Sequence, residues 1–248
     1  MIRGFSRILE QPLKYLKALW RSQTMSEIQN IDIEEKQIRQ YVVEKLKKAD
    51  IAHGFDHVEC VVNMARKIAL CEGANLRVVI PSAYLHDIVP RNEVERFDLH
   101  TEESASEAKR FLRSMGFSPD EIDEIGNVII ASSYESYLKG KEPESLEAKV
   151  VRDADWLDAI GARGIARVFV FAGHYGCPEM GKVEWDPDSP SKLVMNTYGP
   201  DPSPIHHFFS KLLWLKDLMQ TKTGRIEAEK RHQFMIDFLK RYKLECSA

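Results

Sequence analysis

Helical periodicity runs from Ile33 to the end of the chain almost without interruption, and this excludes most folds at once. Ile38, Val42 and Leu46 form one apolar stripe, and Val58, Val61, Ala65, Ile68 and Ala69 form the next. Val78 to Ile88 is apolar nearly throughout, as in a helix covered on most sides. Ala105, Ala108, Phe111, Leu112 and Met115 follow, with Gly116 placed to stop the helix. Ser118-Pro119-Asp120-Glu121 reads as a capping box with proline in the first turn, so a helix starts there and runs through Ile129. Residues 148–157, 165–171, 205–219 and 226–242 continue the series. Strand-like alternation is nearly absent; Val168-Phe169-Val170-Phe171 is the one candidate, and its neighbours are helical. Six of the eleven prolines fall between residues 176 and 204, which predicts one long irregular loop. The expectation is an all-α fold, a single helical bundle carrying that loop.

Charge narrows the class of partner. The net charge is −3, too near neutral for a protein that coats nucleic acid, so no nucleic-acid partner is expected. The distribution is uneven. Residues 1–24 carry five basic residues against Glu10, a net +4, which leaves −7 for the remainder. Phe5, Ile8, Leu9, Leu13, Leu16, Leu19 and Trp20 have rough helical spacing in this head, broken by Pro12. A packing helix, or sequence upstream of a start at Met25, are its plainer readings; peripheral membrane contact through 1–24 ranks below both. Residues 1–30 are therefore assigned as a basic extension and 31–248 as the folded domain. Cys60, Cys71, Cys177 and Cys246 are widely spaced, with no C-x-x-C pair. That usage suits a reducing cytoplasm, and no secretory leader or membrane-spanning run is visible.

Three short segments carry the chemistry: His53-Gly54-Phe55-Asp56-His57, the pair His86-Asp87 closing the apolar helix, and Asp153-Ala154-Asp155 in a later one. Each alone is weak, because a histidine is more often a satisfied core residue and an aspartate more often a solvated face. Asp87 and Asp155 sit in strongly apolar surroundings, however, where an uncompensated carboxylate is costly. Imidazole nitrogens and carboxylate oxygens converging from three helices would suit Mn²⁺, Fe²⁺, Mg²⁺, Ni²⁺ or Zn²⁺, without choosing among them.

These segments, in this order, resemble the HD superfamily of metal-dependent phosphohydrolases, most closely its small bacterial and archaeal hydrolases. The similarity extends to Asp158-Ala-Ile-Gly161-Ala-Arg163-Gly164-Ile-Ala-Arg167, to His207-Phe-Phe-Ser-Lys211-Leu-Leu, and to Arg231-His232. It implies an all-helical domain with His57, His86, Asp87 and Asp155 as metal ligands, and a small phosphorylated substrate, commonly a nucleotide, cleaved by water. It further implies that Asp87 also orients the attacking water, and that His53 serves as general acid or outer partner. Arg91, Arg163 and Arg167 become candidates for steadying phosphoryl charge, each against the reading of a solvated basic face. His100 becomes a candidate substrate contact or second-metal ligand. Two departures stand out: Ser132-Ser133-Tyr134 where the branch reads His-Ser-aromatic, and Trp156 where it has arginine. They favour, as the alternative, a catalytically weak metal- and nucleotide-binding regulatory module. The missing histidine at Ser132 also argues against a di-iron oxygenase of HD type.

Overall fold

The computed structural model describes residues 25–49, 53–90, 99–181, 184–190 and 203–247. The basic head and Arg91 lie outside the described residues. Among those described, helices and turns account for the fold and there is no strand, in agreement with the all-α reading. In chain order the helices are α1 (Met25–Lys45, continued by a 3₁₀ turn Leu46–Lys48), α2 (Phe55–Glu72), α3 (Leu76–Leu85), α4 (His100–Ser114), α5 (Pro119–Ser132), α6 (Tyr134–Leu138), α7 (Leu146–Asp158), α8 (Gly161–His174), α9 (Pro204–Ser210), a 3₁₀ segment Leu212–Leu218, and α10 (Lys222–Cys246). Two compact units divide the chain, one up to Ala154 and one from Asp155, with the boundary inside the continuous helix α7.

In the first unit, α3 packs against α1, α2 and α5, and α4 against α5. Every residue of α3 from Val78 to Leu85 is buried, which is why the segment is apolar all round. Its start is fixed by Asn75, whose side chain accepts a hydrogen bond from the Arg77 amide at 3.0 Å. The expected helix 78–88 is shorter at its end. It stops at Leu85, and the Ile88 amide donates to the Leu85 carbonyl at 3.3 Å, so His86 and Asp87 occupy the turn that closes it. Helix α5 begins as expected. The Glu121 amide donates to Ser118 Oγ at 3.3 Å, and Glu121 Oε2 accepts from the Ser118 amide at 2.9 Å. Gly116, with φ +83°, supplies the left-handed turn that ends the preceding helix. The short α6 was not expected; Ser133 caps it, its hydroxyl accepting from the Ser136 amide at 3.0 Å.

In the second unit, α8 packs against α10, and Val168–Phe171 is helical. Of the expected loop at 176–204, residues 182–183 and 191–202 lie outside the described residues; the described part contains no helix before Pro204. The expected run 205–219 is broken. Lys211 takes φ −136° and ψ −61°, outside the helical region, and Trp214 Nε1 donates to the Phe209 carbonyl at 2.6 Å, covering one of the groups that the break exposes.

This break neighbours a buried base. His207 as a whole keeps some exposure, but its ring is enclosed, and burial pushes the imidazole down to about 3. A depressed imidazole is neutral in the folded state and charged in the unfolded state below the unfolded value near 6.5. Its contribution to stability is thus present above that value and lost as pH falls toward 3. The slope is up to about 1.4 kcal/mol per pH unit. His207→Gln is expected to flatten the fall in melting temperature between pH 6.5 and 4.5; an unchanged slope would show that other groups carry the acid sensitivity.

Candidate metal centre

The last turn before α2 and the first turn within it set one side of the centre. Gly54 occupies the N-cap position with an extended backbone, Asp56 lies in the first turn where the helix dipole favours an acid, and His57 points inward, 3% exposed. His86, 4% exposed, reaches the same place from the end of α3. The two Nε2 atoms are 3.3 Å apart. That is close to the separation of two nitrogens that each lie about 2.1 Å from one ion. His86 Nδ1 donates to the Ala83 carbonyl at 2.9 Å, which fixes the tautomer and leaves the Nε2 lone pair facing His57. An oxygen of Asp155 completes a set with the two nitrogens, all within 4.8 Å of one another. Asp155 is the first residue past the unit boundary, on the α7 helix whose preceding turns belong to the first unit.

Asp87 stands beside this set. Its Oδ2 is 3.7 Å from His86 Nε2 and 3.9 Å from His57 Nε2, while Oδ1 is 3.7 Å from His100 Nδ1. His100 Nε2 donates to the Val89 carbonyl at 2.5 Å, so in the neutral ring Nδ1 presents a lone pair to the carboxylate. The His86 and His100 lone pairs, the His57 ring and the Asp87 carboxylate thus meet in a buried space. Such a donor set is satisfied by a cation, and its hard oxygens and neutral nitrogens fit a divalent ion.

The remaining sequence candidates fall in three places. The His53 ring meets the His57 ring edge-on, with centroids 6.2 Å apart. Arg163 and Arg167, both from α8, bind one carboxylate: Arg163 Nε donates to Asp158 Oδ1, and Arg167 Nη1 donates to Asp158 Oδ2 at 2.9 Å. Arg91 lies outside the described residues. At the departures from the family pattern, Ser132 is buried with its hydroxyl donating to the Ile129 carbonyl at 2.8 Å, and Trp156 is 2% exposed.

Sequence reasoning missed the residues that hold α7. Arg152 has no exposed surface and donates to the carbonyls of Ala131 and Lys141, and to Glu142. A guanidinium directly after the apolar pair Val150-Val151, on the side of the helix that faces the core, was the available signal. Arg231 of α10 was noted only as part of the family resemblance; it donates to the Leu157 carbonyl.

The comparisons agree with this architecture. The family model described as the HD domain matches residues 54–160. The chain is 37% identical over 205 residues to the uncharacterized protein YpgQ of Bacillus subtilis (strain 168), covering 82% of this chain and 89% of that one. A crystal structure from Lactobacillus plantarum is similar with a TM-score of 0.70 and 31% identity, covering 87% of this chain and 97% of that one. Bacillus subtilis YpgQ in complex with ADP is similar with a TM-score of 0.62 and 32% identity, covering 85% and 97%. An HD-superfamily hydrolase from Bacillus thuringiensis gives a TM-score of 0.63 and 28% identity over 88% and 98%. The chain belongs to the HD-domain family, and its fold is that of the HD-superfamily hydrolases.

Proposed function

We propose that the protein hydrolyses a phosphoester of a nucleotide or another small phosphorylated metabolite. The observation that carries this reading is the convergence of one ring nitrogen each from His57 and His86 with an Asp155 oxygen, with Asp87 beside them. These four residues are the ones that would hold a divalent ion. When bound, such an ion supplies a water of lowered pKa and a counter-charge for a phosphate oxygen. Asp87, with one oxygen toward the imidazole pair and the other toward His100, would orient the attacking water and accept its proton. His53 would donate a proton to the leaving oxygen, and His100 would contact the substrate. Arg163 and Arg167, both held by Asp158, would steady phosphoryl oxygens. Arg91, next to the doublet in sequence, is assigned the same task.

A nucleotide is favoured because YpgQ has been solved in complex with ADP and its sequence is 37% identical to this one. None of the helices among the described residues is long and apolar enough to cross a membrane; the sparse, widely spaced cysteines are what favours a cytoplasmic location. Protein loaded with Mn²⁺, offered nucleoside mono-, di- and triphosphates, is expected to release phosphate, and EDTA to stop it. Nucleotide-dependent thermal stabilisation with no phosphate released would instead support the regulatory binding module, the reading that Trp156 and the back-bonded Ser132 favour.

A further inference from the structure

We infer that Arg231, in the last helix, is a positioning residue for the ligand Asp155 and acts through the C-terminal end of α7; this rests on the metal reading above. Its Nη1 donates to the Leu157 carbonyl at 2.5 Å, across 74 residues of sequence. Leu157 is two residues beyond Asp155, in the final turn of the helix, where a cation is favoured, and its carbonyl also accepts from the Ile160 amide at 3.3 Å.

The local geometry is built to admit this arginine. Gly161 opens α8 with φ +78°, and a Cβ there would lie 2.9 Å from Cβ and Cγ of Arg231. The side-chain stem therefore occupies the space that any other residue at 161 would claim. Glu227, one turn earlier on α10, receives both Nε and Nη2 at 3.3 Å and sets the plane of the guanidinium. The same elbow is closed by Gly164, whose Cβ would strike the Ala159 carbonyl oxygen at 2.1 Å, and by Asp158 holding Arg163 and Arg167. A carboxylate ligand needs its helix end fixed in height and rotation, and outer partners of ligands typically tune metal affinity by about 10–100-fold. Here the partner grips the backbone of the ligand's own helix.

The test uses full-length protein and Mn²⁺, with binding read by titration calorimetry and folding by far-UV circular dichroism. Arg231→Met keeps the stem against Gly161 and removes the donated bond. It is expected to fold and to bind Mn²⁺ about 10–100-fold more weakly, with Arg231→Lys recovering part of the loss. A merely structural role would lower the melting temperature and leave Mn²⁺ affinity unchanged in the folded protein. Affinity within about twofold of the wild type in Arg231→Met overturns the inference while the metal reading stands. If that variant does not fold, Arg231→Gln decides in its place: its amide falls short of the Leu157 carbonyl, and wild-type affinity in it overturns the inference. Wild-type protein that takes up no Mn²⁺ removes both.

Discussion

Metal content is expected to fall to background in both His86→Ala and Asp87→Ala. His86 contributes one of two ring nitrogens that meet at 3.3 Å, and its orientation is fixed by the Ala83 carbonyl, so no rotation of a neighbour replaces it. Asp87 places a carboxylate oxygen within 4 Å of both rings. Losing either group should weaken Mn²⁺ binding by more than about 100-fold, beyond the effect of an outer partner. Elemental analysis after dialysis and calorimetric titration read this directly. The metal-free proteins supply an internal check. Added Mn²⁺ should raise the melting temperature of the wild type and of neither variant. Unchanged metal content in both variants would mean that the centre lies elsewhere.

The helical stripes were readable because burial in a bundle imposes a 3.6-residue period that each segment displays by itself. Val58, Val61, Ala65, Ile68 and Ala69 of α2 are all buried, and the α5 capping box is written in four consecutive residues. Element ends were less readable where their cause is distant. The break at Lys211 leaves no mark in a sequence that reads as apolar helix on both sides, and the end of α3 before His86 depends on where that side chain must point. The site divides similarly. His57, His86, Asp87 and Asp155 stand out because histidines and acids in apolar company need a reason to be there. Arg163 and Arg167 were visible as basic residues, but their shared partner Asp158 became evident only from the turn joining α7 to α8. Arg152 and Arg231 were not identified as functional supports, because each binds main-chain carbonyls of residues 131, 141 and 157, and a carbonyl has no residue type. What the sequence conceals here is the scaffold of α7, whose last turns carry Asp155.

Arg152→Ala is expected to be the most destabilising single change in the first unit. The side chain has no exposed surface and ties α7 to the end of α5 through the Ala131 carbonyl at 2.9 Å. It also ties α7 to the segment after α6, through the Lys141 carbonyl at 2.6 Å and Glu142 at 3.1 Å. Burial lowers the Arg152 pKa from its ordinary value, with Glu142 opposing that shift, so the bonds offset a desolvation cost already incurred. Truncation leaves carbonyls that faced the guanidinium without their donor and opens a cavity. Together these cost about 3–5 kcal/mol, or roughly 10 °C in melting temperature for a chain of this size. Arg152→Met separates the two causes, since it fills most of the space and restores none of the bonds; it should recover less than half of the loss. Arg152→Lys should do better than methionine, because an ammonium still reaches one carbonyl or Glu142. Melting of the metal-free proteins within about 2 °C of the wild type would show that α7 holds its place without this anchor. Because α7 also presents Asp155, the folded fraction of Arg152→Met should bind Mn²⁺ less tightly as well, linking the stability of this helix to the affinity of the centre it serves.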